Sequence, residues 1–118
     1  MNPRQEFLQN LYDAFNRREL EIVLALMAED VKWANGMEGG FVDGRENVRE
    51  YWRRQFEIIN PQLEILKTET DADGRAVVTV HQVVKDINGK PLAEKTLRQI
   101  FTFENGLIKA FEIDDAEK

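Results

Sequence analysis

Residues 76–114, AVVTVHQVVKDINGKPLAEKTLRQIFTFENGLIKAFEID, decide the fold class of this chain. The stretch is rich in Val, Ile, Thr and Phe, which favour strands, and its Asn-Gly pairs at 88–89 and 105–106 are typical of tight hairpin turns. An Asp-Gly pair at 73–74 marks a further turn just before it. The second half of the chain is therefore predicted to form four antiparallel strands, at residues 63–70, 76–86, 92–104 and 107–114.

The first half of the chain carries helical patterns. Apolar side chains at 7, 8, 11 and 15 recur at helical spacing, and the run at 20–28 is apolar almost all round, as in a buried helix. Asp43 and Glu46 form a capping signal that opens a third helix, which runs to about residue 59. A short strand at 31–35 and a glycine-containing loop at 36–44 precede that helix.

Helices segregated from an antiparallel sheet make an α+β domain. Residues 1–118 are therefore predicted to form a single domain. Three N-terminal helices should pack on a curved antiparallel sheet, and the resulting cone-shaped fold should enclose a pocket.

Composition narrows the functions that such a domain can have. A net charge of −6 argues against nucleic-acid binding, and the only basic doublets, Arg17-Arg18 and Arg53-Arg54, are expected on solvated helix faces. The chain has no Cys and a single His, which excludes disulfides, thiolate chemistry and multi-histidine sites, so no metal is expected. No apolar run approaches the length of a membrane span, and a cytoplasmic location is the default expectation.

Polar side chains that interrupt apolar faces are the candidates for a binding site, because buried polar atoms need a partner. Gln55 lies on the apolar stripe of the third helix, where a ligand or backbone groups would satisfy it. Gln99 alternates with Leu97, Phe101 and Phe103 on one strand face, which predicts that it faces the helices. A neutral amide there can orient a carbonyl but cannot exchange a proton.

His81 and Gln82 are neighbours on one strand, so only one of them can face the interior. If the turn at 88–89 has two residues, Val78 pairs with Gln99 and Gln82 faces inward. If it has three residues with a Gly bulge, the parity shifts and His81 faces inward. His81 is the only side chain whose ordinary pKa suits proton transfer near neutrality, and an outer-face or subunit-contact position is its alternative.

Glu112 presents the same choice at the next hairpin. It lies opposite Gln99 if the turn at 105–106 has two residues, and burial there would raise the pKa of its carboxyl and make it a candidate base. With the other turn type it lies outside, in solvent. The aromatic side chains that are expected to form the pocket wall are those of Tyr12, Trp33, Tyr51, Trp52 and Phe101. The alternative is that these side chains only pack in the core.

Several segments carry a family resemblance: NRREL at 16–20, MAEDVKW at 27–33, VDGRENV at 42–48, YWRRQ at 51–55, VHQVVKD at 80–86 and FENGLI at 103–108. They resemble the nuclear transport factor 2-like superfamily, and in particular its ketosteroid isomerase and SnoaL-like branch. The resemblance covers nearly the whole chain. It implies a cone with a pocket between helices and concave sheet, no cofactor, and homodimers through the other face of the sheet.

Ketosteroid isomerase uses an Asp on the first strand as its proton shuttle, and a helix Tyr and a strand Asp as oxyanion donors. The resemblance puts the shuttle at Asn35, the strand donor at Gln99 and the tyrosine at Leu11, with Tyr12 one residue out of register. All three residue types are changed. Since Asn cannot shuttle a proton near neutral pH, steroid isomerisation by that mechanism is not expected.

The sequence therefore predicts a SnoaL-like pocket protein that binds a small apolar molecule with a carbonyl or hydroxyl group. If the protein is an enzyme, the expected chemistry is cofactor-free isomerisation or cyclisation by proton transfer, with His81 or Glu112 as the base. The predicted pocket residues are Tyr12, Trp33, Asn35, Tyr51, Trp52, Gln55, Gln82, Gln99 and Phe101. The alternative is a non-catalytic ligand-binding or dimerisation module on the same fold.

Overall fold

The computed structural model describes residues 3–36 and 39–114, which form three helices and a six-stranded sheet. The helices are α1 (Pro3–Asn16), α2 (Leu20–Ala25) and α3 (Arg45–Gln55). The strands are β1 (Met27–Ala34), β2 (Phe41–Asp43), β3 (Ile59–Thr70), β4 (Ala76–Asp86), β5 (Pro91–Glu104) and β6 (Leu107–Asp114). Helices packed on a curved, open sheet make the cone-shaped α+β fold, as predicted.

The strand order across the sheet is β2-β1-β6-β5-β4-β3. Strands β3 to β6 form the predicted antiparallel meander. However, β1 pairs parallel with β6, so the predicted antiparallel sheet also contains a parallel pair of strands. Strand β2 lies inside the segment predicted as a loop, because the Asn35 amide bonds the Gly40 carbonyl at 2.9 Å and turns the chain back along β1.

The second helix is shorter than the sequence predicted. Helix α2 ends at Ala25 rather than near residue 28, because β1 has already begun at Met27. The amide of Ile108 in β6 bonds the Leu26 carbonyl at 2.9 Å, so pairing with the sheet takes over the backbone groups that a longer helix would use.

The third helix differs from its predicted bounds at both ends. Gly44, at φ 91°, takes the N-cap position in place of Asp43, and no side chain caps the helix. The Gly44 amide bonds the Val31 carbonyl of β1 at 2.7 Å, which fixes the helix start against the sheet. Helix α3 then ends at Gln55, since β3 begins at Ile59 and pairs with β4.

Side chains on the concave face of the sheet, the face under the helices, lie in rows across the strands. The innermost row consists of Ala76, Phe101, Phe111 and Trp33. The next rows are Val78, Gln99 and Ile113, then Val80 and Leu97, and finally Gln82 and Lys95, where β5 becomes exposed. Gln99 is therefore a polar residue placed in the middle of an apolar core.

Within the described part of the chain, no helix combines the length and apolar character needed to cross a bilayer.

Candidate functional site

A cavity of about 470 Å³ lies between the helices and the concave face of the sheet. The chain has eleven aromatic residues, and nine of them line this cavity. Their rings pack against one another. Trp33 stacks on Phe111 with ring centroids 4.1 Å apart, and it contacts Trp52 edge-on with ring centroids 5.3 Å apart. The nine are Tyr12, Phe15, Trp33, Phe41, Tyr51, Trp52, Phe56, Phe101 and Phe111.

One polar pair interrupts the aromatic wall. Gln99 is 5% exposed, and among the described residues it is the one buried residue whose side chain is neither aliphatic nor aromatic. The hydroxyl of Tyr12, a residue of α1 that is 3% exposed, donates a hydrogen bond to Gln99 Oε1. Burial raises the pKa of the Tyr12 phenol well above its ordinary value, so the phenol stays protonated at neutral pH.

The tyrosine of this pair is Tyr12, whereas the resemblance put the helix tyrosine at Leu11. Both side chains line the cavity, but the Tyr12 hydroxyl is the group that reaches Gln99. The Tyr12 ring also packs edge-on against Phe101, at 6.2 Å between centroids. Helix α1 and the middle of β5 therefore meet through both ring packing and a hydrogen bond.

A shift in the pairing register of the β4–β5 hairpin decides which of His81 and Gln82 faces the cavity. The turn encloses three residues, because the Asp86 amide bonds the Lys90 carbonyl at 2.9 Å. A second register shift between Val84 and Lys85 then restores the parity that a two-residue turn would give. Gln82 accordingly lines the cavity.

The His81 side chain lies on the opposite, convex face of the sheet. Its Nε2 atom is 2.7 Å from Glu94 Oε2, and about a third of the side chain is exposed. The expectation that a three-residue turn would bring His81 inside was therefore wrong, because the register shift cancels the effect of the turn. His81 does not reach the Tyr12–Gln99 pair, so it is not placed to act as a base there.

Glu112 faces away from the interior because the pairing register of β5 and β6 also shifts. The turn at Asn105 and Gly106 has two residues, both at positive φ, but the β5–β6 register shifts between Thr102 and Phe103. Ile113 therefore lies opposite Gln99, and Glu112 pairs with Ile100.

The Glu112 carboxylate sits 3.8 Å from the Arg75 guanidinium. Glu112 is among the residues that border the cavity, but its position opposite Ile100 and its ion pair with Arg75 direct its acid group to the convex side. The expectation that a two-residue turn puts a base beside Gln99 was wrong, because the bulge reverses the parity.

The other predicted pocket residues come together on the cavity wall. Trp33, Asn35, Tyr51, Trp52, Gln55 and Phe101 all line it. Other residues that were not predicted to be in the pocket also line it, among them Phe15, Phe41, Phe56, Phe111 and Lys95. Lys95 pairs with Gln82 across the strands, and its alternation with Leu97 and Gln99 was the signal that could have placed it on the cavity wall.

Arg18 supports the cavity wall from behind, whereas its doublet was expected on a solvated helix face. Its guanidinium donates to the Phe15 carbonyl at 2.8 Å and the Pro61 carbonyl at 2.7 Å, and lies 4.3 Å from the Phe56 ring centroid. Burial lowers its pKa from the usual value. Arg18 thus ties the end of α1 to β3 and holds two aromatic rings of the wall. Arg17, by contrast, is exposed.

Across residues 3–36 and 39–114, no three His, Asp or Glu side chains are grouped closely enough to hold a metal ion. Besides the aromatic rings, the residues that line the cavity include four with side-chain amides, Asn35, Gln55, Gln82 and Gln99, together with Tyr12 and Tyr51 with their hydroxyls, and Lys95. Such a wall supplies apolar contact and a few hydrogen-bond donors and acceptors at fixed positions.

The structure of the chain is similar to several solved structures. A nuclear transport factor 2-like protein of unknown function from Burkholderia pseudomallei is 30% identical, with a TM-score of 0.81 over 99% of this chain and 95% of that one. TerC, co-crystallised with polyporic acid, is 24% identical, with a TM-score of 0.80 over 95% and 90%. A candidate polyketide cyclase from Xanthomonas campestris is 24% identical, with a TM-score of 0.74 over 92% and 87%.

No curated protein matches the chain. The family model for the SnoaL-like domain matches residues 8–111, which is most of the sequence. On this match and on the structural likeness, the chain belongs to the SnoaL-like domain family of the nuclear transport factor 2-like superfamily.

Proposed function

We propose that this protein binds one small, flat aromatic molecule with a carbonyl or hydroxyl group inside the cone. The observation that carries this proposal is the Tyr12–Gln99 pair, a buried polar pair set in a wall built from nine aromatic side chains. Aromatic walls favour flat ring systems, since offset or edge-on ring contacts add about 0.5–1.5 kcal/mol per pair beyond area burial.

The polar pair suits a ligand oxygen. The Tyr12 hydroxyl donates to Gln99 Oε1, and the amide hydrogens of Gln99 have no hydrogen-bond partner among the described residues. They can donate to a ligand carbonyl, while the Tyr12 oxygen can accept from a ligand hydroxyl. Each such bond contributes about 0.5–1.5 kcal/mol net.

The arrangement favours binding over proton transfer by a protein base. Among the described residues that line the cavity, the charged ones are Lys95 at the open end and Glu112, whose carboxylate faces Arg75. No described carboxylate or imidazole therefore lies beside the polar pair. TerC, which shares the fold, was co-crystallised with polyporic acid, and this supports a small molecule as the ligand class.

Binding can be measured directly because both tryptophans of the chain, Trp33 and Trp52, line the cavity. We expect 9-fluorenone to change their fluorescence and to bind about two- to tenfold tighter than fluorene, which lacks only the carbonyl oxygen. Gln99→Leu should remove this difference while leaving fluorene binding nearly unchanged. Thr96→Val, on the convex face, is the matched control. Saturable binding of neither compound would refute the proposal.

Catalysis by carbonyl polarisation is the second candidate function, and the protonated phenol of Tyr12 is the observation that favours it. If the Tyr12 O–H turns from Gln99 Oε1 to the substrate, it can stabilise a developing enolate oxygen while a buffer base or hydroxide ion takes the α-proton. A candidate polyketide cyclase shares the fold, which is consistent with such chemistry. The discriminating measurement is hydrogen exchange at the α-carbon of 1-tetralone in D₂O: exchange lost in Tyr12→Phe supports catalysis, and exchange at the buffer rate supports binding alone.

We also propose that two copies pair through the convex face of the sheet. Val77, Val83 and Ile100 on this face are only partly buried within one chain. Light scattering coupled to size exclusion should give twice the chain mass, and Ile100→Asp should give the mass of one chain. A wild-type protein of single-chain mass at micromolar concentration would exclude the dimer.

A further inference from the structure

We infer that the ligand carries a second oxygen group, a hydroxyl, at the end opposite its carbonyl, and that the side-chain amide of Gln82 binds this hydroxyl. The inference rests on the proposed function, since it assumes that Gln99 and Tyr12 hold the carbonyl. It defines the ligand as an elongated aromatic molecule with two neutral oxygen groups about 10 Å apart, rather than a molecule with a single polar end.

The first support is that the side-chain amide of Gln82 has no partner within the described part of the chain. Asn35, Tyr51 and Lys95 also line the cavity, but each of these residues interacts with another group of the protein. By contrast, no described residue is a hydrogen-bond partner of the Gln82 or Gln55 side chain. These two amides of the cavity wall are therefore available to a ligand.

The second support is the apolar surface around Gln82, which is itself half-buried. On the same face of β4, Val80 and Val84 flank Gln82 and are buried, and Leu63 of β3 lies opposite it. An amide among such side chains loses hydration and needs a hydrogen-bond partner. A ligand hydroxyl can be that partner, since an amide both donates and accepts hydrogen bonds.

The third support is the position of Gln82 relative to Gln99. Gln99 pairs with Val78, which lies four residues before Gln82 on β4. Four residues of extended strand span about 13 Å and neighbouring strands are about 4.8 Å apart, so the two glutamine Cα atoms are about 14 Å apart. Both side chains rise from the concave face of a curved sheet, which brings their amides to about 10 Å. Leu97 lies between them and also lines the cavity, so one ligand can reach both amides.

The test uses 9-fluorenones that carry a hydroxyl group para to the carbonyl carbon, on tethers of zero, two or four methylene groups, and a matched series with methyl in place of the hydroxyl. At one tether length, we expect Gln82→Leu to weaken binding of the hydroxyl compound about two- to tenfold, as for the loss of one hydrogen bond. Binding of the matched methyl compound and of 9-fluorenone should not weaken, which also shows that the variant is folded. Gln9→Leu, the same substitution at an exposed position of α1, should leave the affinity for every compound unchanged.

The outcomes separate the inference from the function on which it rests. If 9-fluorenone binds but Gln82→Leu binds the hydroxyl compounds as tightly as the wild type at every tether length, the second oxygen site is wrong and the pocket assignment stands. An equal loss of affinity for the hydroxyl compound and its methyl counterpart also overturns the inference. If neither 9-fluorenone nor any of its derivatives binds, both the inference and the proposed function fail.

Discussion

Replacing Tyr12 with Phe removes one oxygen atom from the middle of the cavity wall, and its cost can be worked out from the Tyr12–Gln99 pair. The substitution keeps the ring packed on Phe101 but leaves Gln99 Oε1 without its donor. An unsatisfied buried polar group costs about 1–3 kcal/mol. Since Gln99 borders the cavity and water can reach it there, we expect about 1–2 kcal/mol of lost stability.

Gln99→Leu should cost a similar amount, because it leaves the buried Tyr12 hydroxyl without its acceptor. The double variant carries neither polar group, and removing both partners of a buried hydrogen bond is nearly neutral. The two changes should therefore be strongly non-additive, with a coupling free energy of about 2–4 kcal/mol, which is the sum of the two single costs.

Urea denaturation followed by tryptophan fluorescence measures this coupling. With a slope of about 1–3 kcal/mol/M, each single variant should lower the urea midpoint by roughly 0.3–2 M, and the double variant should lie near wild type. Thr96→Val, an exposed hydroxyl on the convex face, should not move the midpoint. A double variant as unstable as the sum of the two singles would refute the idea that these side chains form a coupled buried pair.

Two further predictions concern titration and the convex face. Burial raises the pKa of Tyr12, so this residue adds stability below the unfolded-state pKa of about 10, and that stability is lost as the pH rises toward the higher folded-state pKa. The urea midpoint of the wild type should therefore fall more steeply between about pH 9 and 11 than the midpoint of Tyr12→Phe. Parallel curves of midpoint against pH would contradict the burial of Tyr12. His81→Ala and Glu112→Gln should each leave 9-fluorenone affinity within about twofold of wild type by calorimetry, since both side chains face away from the cavity, and a tenfold loss in either would place that group at the ligand.

The sequence was sufficient for the fold class because its signals were local. The Asn-Gly pairs and the alternating strands predicted the β3–β6 meander, and the position of Gln99 on the concave face followed from its alternation with Leu97 and Phe101. The parallel pairing of β1 with β6 was missed, because two segments about eighty residues apart meet through tertiary packing.

The facing of His81 and Glu112 could not be predicted, because turn length alone does not fix the register of a long hairpin. In β4–β5 a shift between Val84 and Lys85 undoes the effect of the turn, and in β5–β6 a shift between Thr102 and Phe103 reverses it. Such bulges carry no strong residue signature, yet each moves every later side chain to the other face. The candidate base positions depended on these two shifts.

Arg18 shows a different limit of prediction from local sequence. Its position next to a second Arg and before Glu19 is typical of a solvated helix end, but the chain there turns with Arg18 at φ 63° and brings it over the Phe15 and Phe56 rings. The backbone carbonyls that it binds come from residues three and forty-three positions away. A contact of that range is set by packing, so local sequence could not reveal it.

The most direct measurement of the central claim is the infrared carbonyl stretch of 9-fluorenone, labelled with ¹³C at the carbonyl and bound to the protein. If the Tyr12–Gln99 pair holds the ligand oxygen, the band should lie at lower frequency than in hexane, and Gln99→Leu should return it toward the hexane value. A bound-state band that Gln99→Leu does not move would contradict the account.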